Sequence, residues 1–172
     1  MTNYPINSIP EINSFLEPYL NSVLTMANKL NINLLDKRFS GDHLGLQVLS
    51  KKEFDECHSA LLKNSEMIHD AIIHERRNRI YRFKKILSLK GITIPKIEIF
   101  EPKPNADISK LRPSIEHIAF YIKDYDSFLK ECKNNNVPID KSIDTNGSKF
   151  FKTKLIDNIE IEFRNDSLGE WD

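Results

Sequence analysis

The sequence predicts an α+β fold, with an N-terminal helical segment followed by two consecutive βαβββ modules. Three observations carry this. Residues 1–37 show helical periodicity; residues 38–104 and 105–172 each run strand, helix, strand, strand, strand; and a short histidine-led motif sits near the start of both stretches.

In the first segment, "SIPE" (Ser8 to Glu11) has the form of a capping box, with Pro10 tolerated in the first turn. Pro18 is expected to break or kink whatever begins there. Leu20, Val23, Leu24, Ala27 and Leu30 then recur at helical spacing, so this segment is expected to pack on the outside of the two modules.

The first module opens with "DHLGLQVLS", which alternates as a half-buried strand does. Ser50 and Glu53 repeat the capping-box pattern ahead of a helix that carries Phe54, Cys57 and Leu61 on one side. "SEMIHDAIIHE", "RIYRFKKIL" and "ITIPKIEIFEP" predict three strands punctuated by "RN", Gly91 and proline, and Pro95 argues that the last begins only at Lys96. The second module repeats the order. "EHIAFYIK" is a strand, Asp124 can cap a helix carrying Phe128, Leu129 and Cys132, and "VPIDKSI", "SKFFKTKLI" and "NIEIEFRN" come next as strands separated by "DTNGS" and "DN".

Composition narrows the function classes. At 172 residues, with 40% hydrophobic and 29% charged residues, the chain is long enough for one well-buried core. Its formal net charge of zero gives no global field to recruit nucleic acid or an acidic membrane. No secretion signal and no membrane span of about 18 apolar residues is visible. Cys57 and Cys132 match no metal or redox spacing, so reduced thiols in a cytoplasmic protein are expected. Charge is uneven, however. "RRNRIYRFKKILSLK" (Arg76 to Lys90) carries seven basic residues and no acid, which reads as a solvated strand face or as a cationic wall towards an anionic ligand.

The chemistry-bearing residues lie on the strands. Side chains alternate along a strand, so His43, Gly45 and Gln47 share one face, as do His117, Ala119 and Tyr121. In the last strand of each module, Glu98 lies between Ile97 and Ile99, and Glu162 between Ile161 and Phe163. A lone strand-end histidine is more often a hydrogen-bonded structural residue than a ligand, but the repetition of residue types favours a shared site. Imidazole and carboxylate donors suit Zn, Fe, Mn, Ni or Co. His69 and His74 are expected to be surface or structural residues, and Cys57 and His58 diverge on their helix.

The order "DHLGLQV", "IEIFEPKP", "IEHIAFYI" and "DNIEIEFRN" resembles the vicinal oxygen chelate superfamily of glyoxalase I, extradiol dioxygenases and fosfomycin-resistance proteins. With its N-terminal helical segment, the chain resembles more closely the YecM-like family. That resemblance implies a cupped mixed sheet holding a divalent cation (Zn, Ni, Mn or Fe) on His43, Glu98, His117 and Glu162. It implies an isomerase, lyase or dioxygenase acting on a small oxygen-rich molecule, with Glu162 or Glu98 as the base and Glu160 in reserve. Gln47, Tyr121 and Arg82 are candidate substrate-binding residues, and Gln47 and Tyr121 could equally line a small polar cavity. The alternative is a metal-free small-molecule binder of bleomycin-resistance type, in which Arg79 or Arg82 neutralises the carboxylates. The expected state is a monomer or a homodimer, with neither nucleic acid nor membrane as a partner.

Overall fold

The computed structural model describes residues 4–73, 75–107, 109, 114–145, 147–154 and 160–170. The elements are α1 (Ile9–Lys29), β1 (Phe39–Gln47), α2 (Lys51–Leu61), β2 (Ser65–Ile73), β3 (Arg76–Leu89), β4 (Ile92–Phe100), β5 (Ser114–Ile122), α3 (Tyr125–Asn134), β6 (Lys141–Thr145), β7 (Ser148–Lys154) and β8 (Glu160–Arg164). His74 and the "DN" turn at 157–158 lie outside the described residues.

Both capping boxes form. The Ser8 hydroxyl accepts from the Glu11 amide while the Glu11 carboxylate accepts from the Asn7 amide; Ser50 and Glu53 do the same, the Glu53 carboxylate reaching the Leu49 amide. Asp124 occupies the N-cap of α3 without a side-chain capping bond. α1 runs unbroken through Pro18. A proline inside a helix costs about 3 kcal/mol, but Ile12, Leu16, Leu20, Val23 and Ala27 on both sides of it are fully buried, and their burial outweighs that cost.

The eight strands form one open mixed sheet in the order β2-β3-β4-β1-β5-β8-β7-β6. β1 and β5 pair antiparallel at its centre, and each pairs in parallel on its other side, β1 with β4 and β5 with β8. Two boundaries differ from those the sequence predicts. "RN" lies inside β3, and the β2–β3 hairpin turns ahead of Arg76. β4 already begins at Ile92 and runs through Pro95, which falls where the β3–β4 register jumps between Arg82 and Leu87. A proline in a strand is tolerated at such an irregularity because no ladder hydrogen bond is demanded of it.

The helices cover one face of the sheet. Leu44, Leu46, Val48, Ile97, Ile99, Ile118, Phe120, Ile122, Ile161 and Phe163 are buried there with the apolar stripes of α1, α2 and α3. Phe163 sits at the centre of an aromatic cluster, its ring 5.0 Å from both Phe128 and Phe151. With every second residue committed to that core, the alternate residues of β1, β4, β5 and β8 are turned onto the opposite face.

Candidate metal centre

On that opposite face, strand register assembles the site in two rows. One row reads Lys96, His43, Ala119, Glu162, Lys152 across β4, β1, β5, β8 and β7; the other reads Glu98, Gly45, His117, Glu160. Each histidine thus stands beside a small residue on the neighbouring central strand. The β1–β5 ladder is irregular at Asp42 and again at Glu116, the residue that precedes each histidine. A bulge re-aims side chains, and here both acids end on the side of the histidines: Asp42 meets Lys96, and Glu116 lies 3.8 Å from Lys152.

The rings of His43 and His117 meet edge to face, with their Nε2 atoms 3.0 Å apart. Together with Glu162 they present ligand atoms that all lie within 4.8 Å of one another, a group that could hold a metal ion. Glu98 closes the ring, its Oε2 3.6 Å from His117 Nε2 and 3.9 Å from His43 Nε2, while Asn78 donates to its Oε1 at 2.6 Å. His43, His117 and Glu162 are 1%, 3% and 4% exposed. Three of the four residues expected as ligands thus share one space, and Glu98 stands beside the two histidines.

The protonation pattern suits a cation. Asp42 is buried, which disfavours its charge, yet the His43 hydrogen bond and the nearby His43 and Lys96 charges hold its carboxyl well below the usual range. An ionised carboxylate only accepts, so His43 Nδ1–H donates to Asp42 Oδ2 at 2.7 Å and Nε2 is the ring atom turned towards the shared space. His117 Nδ1 has no hydrogen-bond partner; its nearest carboxylate oxygen, on Glu116, is 3.7 Å away. The two Nε2 atoms, 3.0 Å apart, are placed to share a proton or to hold a cation between them, and a buried donor set of two imidazoles and carboxylates suits a divalent metal.

Around this cluster lie residues that no sequence pattern singled out. Lys96, fully buried, donates to Leu168 O at 2.8 Å and to Ser167 Oγ, and lies 3.0 Å from Asp42 Oδ1. Ser167 Oγ and the Leu168 amide also donate to Asp42, so residues 167–168 strap the site face. Arg164 donates to Glu162 Oε1, and Lys152 Nζ is 3.4 Å from its Oε2. Despite burial, the charges of His117, His43, Lys152 and Arg164 hold the Glu162 carboxyl down to about 2. The arginine beside a site carboxylate is thus Arg164, rather than Arg79 or Arg82.

Of the other expected residues, Gln47 lines a cavity beside the cluster with Lys152, Glu116 and Glu160. Tyr121 pairs in register with Arg164 and is half-buried. Arg82 is exposed and pairs with Glu66 and Glu170, apart from the cluster. His58 Nδ1 lies 2.8 Å from the Tyr81 hydroxyl, and both cysteines are buried and unbridged.

The family model described as YecM protein matches residues 9–167. The chain belongs to the YecM family. Among solved structures, the YecM-family chain is similar to a structural-genomics protein, EC4020, at 13% identity, with a TM-score of 0.75 over 99% of this chain and 94% of that one. A glyoxalase-superfamily assignment from Ralstonia eutropha JMP134 aligns at 8% identity and a TM-score of 0.57, covering 94% and 82%. Methylmalonyl-CoA epimerase aligns at 14% identity and a TM-score of 0.53, covering 75% and 97%. These likenesses show a fold shared with that glyoxalase-superfamily protein and with methylmalonyl-CoA epimerase. No curated protein matches the sequence. Among the described residues, no helix is long and apolar enough to cross a membrane.

Proposed function

We propose that this YecM-family protein is a divalent-metal-dependent enzyme of vicinal oxygen chelate type, an isomerase, lyase or dioxygenase acting on a small oxygen-rich molecule. The observation that carries the proposal is the convergence of His43 Nε2, His117 Nε2 and the Glu162 carboxylate within 4.8 Å, with Glu98 Oε2 beside them. His43, His117, Glu162 and Glu98 would hold Zn, Ni, Mn or Fe. When bound, such an ion supplies Lewis-acid polarisation of a substrate oxygen.

The two glutamates divide the remaining work. Glu162 is pinned by Arg164 and Lys152, which stabilise its charge and make it a good ligand and a poor base. Glu98 is 13% exposed, is held at one oxygen by Asn78, and turns the other towards the histidines, so it is the better placed to take a proton from a substrate carbon. Asp42 keeps the proton on His43 Nδ1, which leaves Nε2 free to ligate.

One observation favours a second reading, a metal-free binding protein of bleomycin-resistance type. Arg164 and Lys152 already neutralise Glu162, so its burial does not by itself require a metal ion. Elemental analysis separates the two. The purified protein, as isolated and after incubation with Zn, Mn, Ni or Fe(II), is compared with His43→Ala and His117→Ala variants. Stoichiometric metal in the wild type, lost in both variants, is expected; a wild-type chain that takes up none of the four ions overturns the enzyme reading and leaves the binder.

A further inference from the structure

Six arginines are described, and five of them are ion-paired: Arg38 with Glu131, Arg77 with Asp55 and Glu101, Arg79 with Asp70, Arg82 with Glu66 and Glu170, and Arg164 with Glu162 and Asp166. Arg76 is the exception: among the described residues it has no carboxylate within ion-pairing distance. Among the described residues its one side-chain hydrogen bond, from Nη1 to the Glu101 carbonyl, is long at 3.4 Å, and its Nε is buried without a hydrogen-bond partner.

Arg76 is nevertheless held in place. Its guanidinium lies 4.4 Å from the Phe100 ring centre, and Phe100 stacks in turn on the His117 imidazole, nearly parallel at 8° and 6.3 Å. A column of guanidinium, phenyl and imidazole thus connects Arg76 to the candidate metal centre. Arg76 lines a cavity of about 370 Å³, the size of a small-molecule site, whose other cations are Lys103, Lys141 and Lys152 and whose carboxylates are Glu116, Asp140 and Glu160. Lys152 links that cavity to the centre, since its ammonium lies 3.5 Å from Glu160 and 3.4 Å from Glu162.

A planar fork of donors with no carboxylate partner of its own, fixed by stacking and lining a cavity in which cations outnumber carboxylates, is built for a bidentate oxyanion. We infer that this cavity receives the anionic end of the substrate, a carboxylate or a phosphate-type group, with Arg76 as its anchor, while the other end of the molecule reaches past Lys152 to the His43–His117–Glu162 cluster. This names the substrate class for the site proposed above and rests on that reading. The substrate is a small oxygen-rich molecule with a second, distal anion.

The test uses three probes with a common 2-oxo acid head: pyruvate with no distal anion, 2-oxoglutarate with a distal carboxylate, and phosphonopyruvate with a distal phosphonate. Their affinities for the Mn-loaded protein are measured by titration calorimetry for wild type, Arg76→Gln, and Lys84→Gln, which removes one charge from the same basic run outside the cavity. The wild type is expected to bind at least one distal-anion probe about tenfold or more tighter than pyruvate. Arg76→Gln should abolish that preference without changing pyruvate binding or metal content, and Lys84→Gln should keep it. Whichever probe is preferred identifies the distal group. Equal binding of all three, or a preference that survives Arg76→Gln, overturns the inference. If the chain takes up no metal, the enzyme reading fails separately. Succinate binding to the metal-free protein then decides the anion site, with loss in Arg76→Gln supporting it and unchanged binding overturning it.

Discussion

Gly45 and His117 stand opposite each other where β1 meets β5, and a methyl group on Gly45 would lie 2.1 Å from His117 Cε1. The imidazole occupies the volume that any other residue at position 45 would fill. Ala119 stands in the matching place opposite His43. The two histidines reach each other because each faces a small residue across the central ladder.

Gly45→Ala should therefore displace His117 rather than unfold the chain. Overpacking of this kind costs roughly 1–3 kcal/mol, and metal affinity should fall by about 10–100-fold, as it does when support for a ligand is lost. Urea unfolding and metal titration of the same variant check the two effects. Unchanged metal affinity would show that His117 is not a ligand.

Asp42 carries two loads, orienting His43 and balancing the buried Lys96. Asp42→Asn keeps the shape but leaves the buried lysine charge with only Glu170, 3.8 Å away, which should cost about 3 kcal/mol. The double variant Asp42→Asn, Lys96→Met should recover part of that stability and none of the metal affinity. Recovery of both would separate Asp42 from the metal centre.

Glu162 and Glu98 should part company in metal content. Glu162→Gln removes a proposed ligand and should weaken binding by about 100-fold, whereas Glu98→Gln should weaken it by less than about tenfold. The reverse order, read from metal retained after dialysis, would exchange their assigned roles.

Both thiols should be inert in the native state. Burial, with Glu53 and Glu56 nearby, pushes Cys57 up to about 12; burial, with Glu131 nearby, pushes Cys132 up to about 11. The folded state holds these protons more tightly than the unfolded state, whose thiols titrate near 9.0. The resulting stability is complete below pH 9 and is lost as pH rises through 11 to 12. Iodoacetamide at about pH 8 should label neither cysteine without denaturant. The urea midpoint should fall between about pH 9 and 11, and less steeply in a Cys57→Ala, Cys132→Ala variant. Rapid native labelling under the same conditions would contradict the burial of the two thiols.

Much of this was legible in the chain. Alternation over Ile-Glu-Ile and His-Leu-Gly is a local property of extended backbone, so the common face of each set of residues could be read directly, as could both capping boxes. Pro18 and Pro95 misled because local rules weigh one residue against its neighbours, whereas the helix is sustained by a buried stripe and the strand tolerates proline at a register jump between β3 and β4. Arg82 misled because a basic residue on a strand gives no sign of which carboxylate will meet it.

The sequence by itself determined the two modules, the face on which His43, Glu98, His117 and Glu162 stand, and their repetition, because each follows from periodicity within a few residues. Only the tertiary structure decided that three of the four share one space with Glu98 beside the histidines, that Gly45 makes room for an imidazole, that Asp42 and Lys96 are tied to Ser167 and Leu168 near the other end of the chain, and that Arg76 lines a cavity without a carboxylate partner of its own. Those outcomes depend on the register between strands and on contacts across more than a hundred residues, and no local pattern encodes which distant partner a buried charge will find.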